Sequence, residues 1–138
     1  MNERGSITFW ILGLSIALLF LGGISVDLWR VMSDRRELAV VADSAAAAAA
    51  SAIDVDHWRN AGEVRLLYDQ AADLAESVVA QHVVAGELAA PIGVAVAGDT
   101  VQVTMTREVE LTLLRILSAG DDPLVVRVVS TARATPSS

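Results

Sequence analysis

The sequence predicts an α+β protein: a long N-terminal helix crosses a membrane and continues as an amphipathic, Ala-rich helix, followed by a second helix and a small antiparallel sheet of three strands. Three observations carry this. Residues 7–26, ITFWILGLSIALLFLGGISV, hold no charge and match the ~20 residues that an α-helix needs to cross a bilayer core. Beyond them the apolar positions keep helical order as far as residue 53, with no proline to interrupt it. After Pro91 the apolar period falls to two, the spacing of strands.

The chain has 138 residues, room for one modest domain, and whatever a membrane takes makes that domain smaller. We divide it into a short tail (1–6), a transmembrane helix (7–26), an extramembrane continuation (27–53), a small α+β head (54–134) and a frayed tail (135–138). Trp10 and Trp29 stand nineteen positions apart, ~28 Å along a helix, which is close to the separation of the two aromatic belts of a bilayer. With Arg30 they are the expected interface anchors. A cleaved secretory signal is the weaker reading, because its apolar core spans only ~7–15 residues and ends at a small-residue site, whereas GGISVDLWR runs on into helix-compatible sequence.

Two seven-residue series continue the helix: Leu28, Arg35, Ala42 and Ala49, and three positions later Val31, Leu38, Ala45 and Ala52. One rod from about 7 to about 53 would be ~70 Å long. It includes six consecutive alanines, Ala45 to Ala50. Alanine has the highest helix propensity, and an alanine face also lets a neighbouring element approach closely. Ala42, Ala45, Ala49 and Ala52 are therefore the candidate packing face.

DVDHWRNAG, residues 54–62, is rich in polar and turn-forming residues and should break the rod. The second helix is expected to start at Asn60, paired with Glu63 in an Asn version of the capping box, and to stop at Gly86. Ile92, Val94 and Val96, then Val101, Val103, Met105 and Val109, mark two strands joined at Gly98-Asp99, a pair suited to a two-residue hairpin. LTLLRILSAGDDP reads as a short helix or irregular crossing that ends near Gly120, and residues 124–132 as a Val-rich third strand.

Charge and composition exclude several functions. Ten basic residues, all Arg, against seventeen acidic ones give a net charge of -7, which disfavours nucleic acid and anionic surfaces as partners. There is no Cys, hence no disulfide, thiolate nucleophile or Cys-ligated metal. His57 and His82 lack ligand spacing and read as solvated residues. Asp54, Asp56 and His57 lack the glycine and distal glutamate of a calcium loop. Glu108 and Glu110 share a strand face, the usual place for outward charge. With no phosphate-binding loop or nucleophile elbow either, no enzyme, cofactor, metal or small-molecule substrate is expected.

The tail ending in ERG, the apolar span, VDLWRVMSDRRELAVVADSAAAAAASAI and the terminal β segment together resemble the TadE/TadG-like proteins of the Tad (Flp) pilus-assembly system, most closely the TadG-like branch. Asp27, Leu28 and Arg30 stand for its Asp-Leu-x-Arg-like step, Arg36 and Leu38 for its Arg-x-Leu-like step, and Ala42 and Asp43 for the start of its Ala-rich run. The motif covers about residues 3–53 and rests on pattern and order. The resemblance implies a non-enzymatic, pilin-like, single-pass component of the bacterial cytoplasmic membrane, with lipid and other pilus subunits as partners of its N-terminal helix. It also implies a cytoplasmic N-terminus and an extracytoplasmic head.

The Arg count alone gives the opposite orientation, since only Arg4 precedes the span while Arg30, Arg35 and Arg36 follow it. A short tail with one Arg gives that count little to weigh, so the resemblance sets our expectation. It further implies that a prepilin peptidase would cut between Gly5 and Ser6. The pilin pattern also places Glu at the fifth mature position, which here is Trp10, so Gly5 and Ser6 match it only in part. The alternative function is a single-pass, membrane-anchored interaction module of another cell-envelope complex.

Overall fold

The computed structural model describes residues 3–82, 86–112 and 123–135, with side chains from residue 7 onward. Three helices, α1 (Glu3–Ala49), α2 (Val55–Ala61) and α3 (Tyr68–Ala80), precede three strands, β1 (Gly93–Ala97), β2 (Thr100–Val109) and β3 (Leu124–Arg133). The strands form one antiparallel sheet in the order β1-β2-β3. The α+β expectation therefore holds, and among the described residues α2 is a helix that the sequence reading did not place.

α1 is a single helix of 47 residues, ~70 Å long at 1.5 Å per residue. It stops at Ala49, a little before the expected end. Ala50 still bonds to Ala46 four residues back, but Ser51 bonds to Ala48 at 3.0 Å and Ala52 to Ala49 at 3.1 Å, so the last carbonyls are taken up by the tighter turns that commonly close a helix.

The next segment departs from expectation. Where one break was predicted there is a short helix, α2: Asp54 caps it by accepting the His57 amide at 2.9 Å, and Gly62, at φ 72°, ends it with its N–H on the Trp58 carbonyl. A left-handed φ favours glycine at this point, and it turns the chain into an extended stretch. There Ile53 and Leu66 form an antiparallel bridge, Asp54 N–H reaches the Arg65 carbonyl at 2.8 Å, and Leu67 N–H reaches the Ala52 carbonyl at 2.9 Å. The Asn60–Glu63 cap is thereby overruled, because Asp54 and Gly62 bound a helix of their own and burial of Leu66 keeps the chain extended. α3 starts at Tyr68 and ends at Ala80, short of Gly86; the stretch 83–85 before that glycine lies outside the described residues.

The sheet follows the predicted alternation. Ala97 pairs with Thr100 across the two-residue Gly98-Asp99 turn, where Gly98 has φ 61°. The expected crossing from residue 113 to Gly120 lies outside the described residues, as does most of the expected frayed tail.

The core lies between the C-terminal part of α1, helix α3 and the inner face of the sheet. Leu38, Ala42, Ala45, Ala46 and Ala49 of α1, Ala71 and Ala75 of α3, and Val101, Val103 and Met105 of β2 are fully buried in one cluster. Alanines on both packed helices let their backbones approach closely, so the small core is filled mainly by Leu38, Met105 and the strand valines.

Candidate membrane and partner interface

α1 has two environments along one axis. Residues 7–22 are all exposed, and the apolar window that begins there has mean hydropathy 2.3 with none of it covered by the chain. Burial of charge and apolar bulk starts with Asp27 and Leu38. A helix that is apolar all round and uncovered by its own protein needs lipid or another protein around it. Its polar groups suit that setting: the Ser15 hydroxyl donates to the Ile11 carbonyl and the Ser25 hydroxyl to the Leu21 carbonyl, both at 2.8 Å, so neither is left unpaired.

Trp10 is 78% and Trp29 73% exposed, which leaves both indoles available to bilayer interfaces, with Arg30 exposed beside the second. Gly13 and Ala17, flanked by Phe9, Trp10 and Leu14, leave a hollow of about 430 Å³ on the helix surface. Gly5 and Ser6 lie within α1, in its first two turns.

The four candidate packing residues, Ala42, Ala45, Ala49 and Ala52, all have zero exposure, whereas Ala47 on the opposite side is exposed. They face this protein's own head. Ala52 lies past the end of the helix yet joins the same cluster.

Sheet and helix are tied by polar contacts that step along α1. Ser130 of β3 donates its hydroxyl to the Asp43 carboxylate. Arg107 of β2 donates to Glu87 and Glu37, the latter at 3.4 Å, with Asp34 3.9 Å away. The Thr112 amide donates to Asp27 Oδ1 at 3.3 Å. β2 thus runs down α1 towards the apolar span, and β3 returns away from it.

Arg107 occupies an inward position between Met105 and Val109, and its side chain is only 14% exposed. A guanidinium with its stem against apolar neighbours and its head on carboxylates is the usual way to carry such a charge beside a core. Sequence reasoning passed over it. The signal was present in the alternation of Val101, Val103, Met105 and Val109, which skips one inward place, and that place is Arg107.

The residues considered for catalysis or metal binding are dispersed. Asp54 caps α2, Asp56 is exposed, half-buried His57 follows the cap, His82 is exposed beyond α3, and Glu108 and Glu110 face solvent. His82 borders a shallow hollow with Arg36, Glu37 and Val40 on α1. Among the described residues no three His, Cys, Asp or Glu gather as a metal would require.

The continuous helix, bare in its first half and core-forming in its second, coincides with the segment that comparison with known families identifies. Residues 5–52 match the Tad family model. Its description is "Putative Flp pilus-assembly TadE/G-like", the family that the sequence resembles. The match runs through the membrane-length span and the Ala-rich continuation, and ends as α1 ends. No curated protein and no solved structure matches the chain. α2, α3 and the sheet lie beyond the Tad segment.

Proposed function

We propose that the protein is a non-enzymatic, minor pilin-like or TadG-like component of a Tad/Flp pilus or related secretion apparatus, held in the bacterial cytoplasmic membrane by α1. One observation carries this reading: the Tad segment coincides with one helix whose first half is exposed and apolar and whose second half is the spine of the head. Such a part joins a membrane to a folded surface without a reacting centre. Lipid surrounds residues 7–26, other pilus subunits contact the same helix, the N-terminus stays in the cytoplasm and the head stands outside.

The test is genetic and biochemical. Removal of the gene should abolish or shorten Flp-type pili in electron micrographs, and the full chain should restore them, whereas a chain with Leu14 and Leu18 replaced by Arg should not. Each such charge near mid-bilayer costs about 2.5–3.5 kcal/mol on insertion scales. Normal piliation without the protein, together with its recovery in a different envelope complex, would favour an interaction module elsewhere in the envelope.

A further inference from the structure

We infer that the head has its own lipid contact: the membrane-proximal end of the sheet, through Leu124 of β3, reaches the outer edge of the headgroup layer of the bilayer that α1 crosses. The inference rests on the membrane reading of α1 and adds a second site to it.

The level of the sheet along α1 follows from the polar steps. Arg107 stands beside Asp34 and Glu37, and the Thr112 amide beside Asp27, the first charged residue after the apolar span. Val109 lies two residues past Arg107 on β2, hence ~7 Å closer to the span, and Leu124 is its registered partner. That places Leu124 at about the level of Val31, ~7 Å above Val26. The headgroup layer on each side of the hydrocarbon core is itself ~5–7 Å thick. At this level Leu124 is 41% exposed, and ~3–5 Å nearer the span on α1 Leu28 and Trp29 are exposed at 53% and 73%; Val125, one step further along β3, stands ~10 Å above Val26, beyond that layer.

Exposed apolar groups from two elements therefore fall within ~3–7 Å of the end of the span, which is the depth of the interface. The bilayer is the one partner already fixed there by the span. Zwitterionic headgroups suit it best, because exposed Arg30 on α1 and exposed Glu108, one step above Val109 on β2, place opposite charges beside this level. The consequence is a head held at two points, unable to swing freely about the helix.

The chain has no cysteine, so single cysteines at Leu18, Leu124, Val125 and Val129 can each carry a nitroxide in the full chain reconstituted in phosphatidylcholine vesicles. Val129 is the internal control: it is 51% exposed on the same face of β3 as Val125 but ~13 Å further from the span. All four sites are exposed, so the label disturbs no core contact. The ratio of collision rates with oxygen and with a water-soluble nickel chelate should be highest at Leu18 and several-fold higher at Leu124 than at Val129, with Val125 between. Equal ratios at Leu124, Val125 and Val129 with a lipid-like Leu18 would overturn the inference and leave the anchor intact. Exclusion of both reagents at Leu124 and Val125 would overturn it in favour of a protein cover, and a water-like Leu18 would overturn the anchor and the inference together.

Discussion

The backbone N–H of Thr112 donates to the carboxylate of Asp27 across 3.3 Å, joining residues 85 positions apart. Asp27 is 2% exposed although it directly follows the apolar span, so the head folds down to the end of that span. Thr112 is itself exposed, so its amide can turn to water when the Asp27 side chain is shortened, and the loss should be that of one net hydrogen bond, about 0.5–1.5 kcal/mol. Asp27→Ala should therefore lower the unfolding midpoint of the full chain in detergent more than Asp56→Ala, an exposed control, and Asp27→Asn should fall between, since it keeps an acceptor. Equal midpoints for Asp27→Ala and Asp56→Ala would show that the contact holds nothing.

The alanine run gives a sharper test, because propensity and packing predict different outcomes. Leucine is nearly as good a helix former as alanine, so a run serving only as helix filler would accept it anywhere. Ala45 and Ala49 are fully buried and Ala47 is exposed. Ala45→Leu and Ala49→Leu should each cost about 1–3 kcal/mol through overpacking, while Ala47→Leu should stay within about 0.5 kcal/mol. Denaturant unfolding followed by circular dichroism reads the difference. Equal tolerance at all three positions would reduce the stripe to a propensity effect.

Arg107 unites three carboxylates, Asp34, Glu37 and Glu87, that come from two separate parts of the chain. Arg107→Met keeps an unbranched apolar stem but removes the charge, so the three acids are left facing one another. Glu37 and Glu87 are about half exposed, and solvent screens much of their repulsion. The loss should be about 1–2 kcal/mol, the upper part of the range for hydrogen bonds to charged groups being closed by that exposure. Combining Arg107→Met with Glu87→Gln should recover part of it, as a double-mutant cycle would report. Strict additivity of the two changes would dissolve the cluster as an energetic unit.

What the sequence made legible follows from where the signal is local. The 20 uncharged residues, the Ala stripe and the two-residue hairpin are each written in adjacent positions or in one period, and they stand where they were read. The helix boundaries after Ala49 were not legible, because Asp54, Asn60 and Gly62 all offer helix signals within nine residues and tertiary burial of Leu66 selects among them. The polar ties along α1 were hidden for a related reason: Asp27–Thr112, Asp43–Ser130 and Glu37–Arg107 join positions 70 to 87 apart, and nothing in the spacing of either partner names the other. Trp10 and Trp29 were proposed as interface anchors from their spacing, and the structure leaves both exposed, whereas the height of Leu124 required the register of β2 on β3.

The proposal that a single helix serves as both membrane anchor and spine of an outward-facing head is tested most directly by topology labelling in living cells. Glu76, exposed on α3, is replaced by Cys in one strain and Leu18 in another, and intact spheroplasts are treated with a membrane-impermeant thiol reagent before and after lysis. We expect Glu76→Cys to react fully before lysis and Leu18→Cys to remain protected in both conditions. Labelling of Glu76→Cys only after lysis would place the head in the cytoplasm, as the Arg count alone has it, and would contradict the extracytoplasmic pilus role.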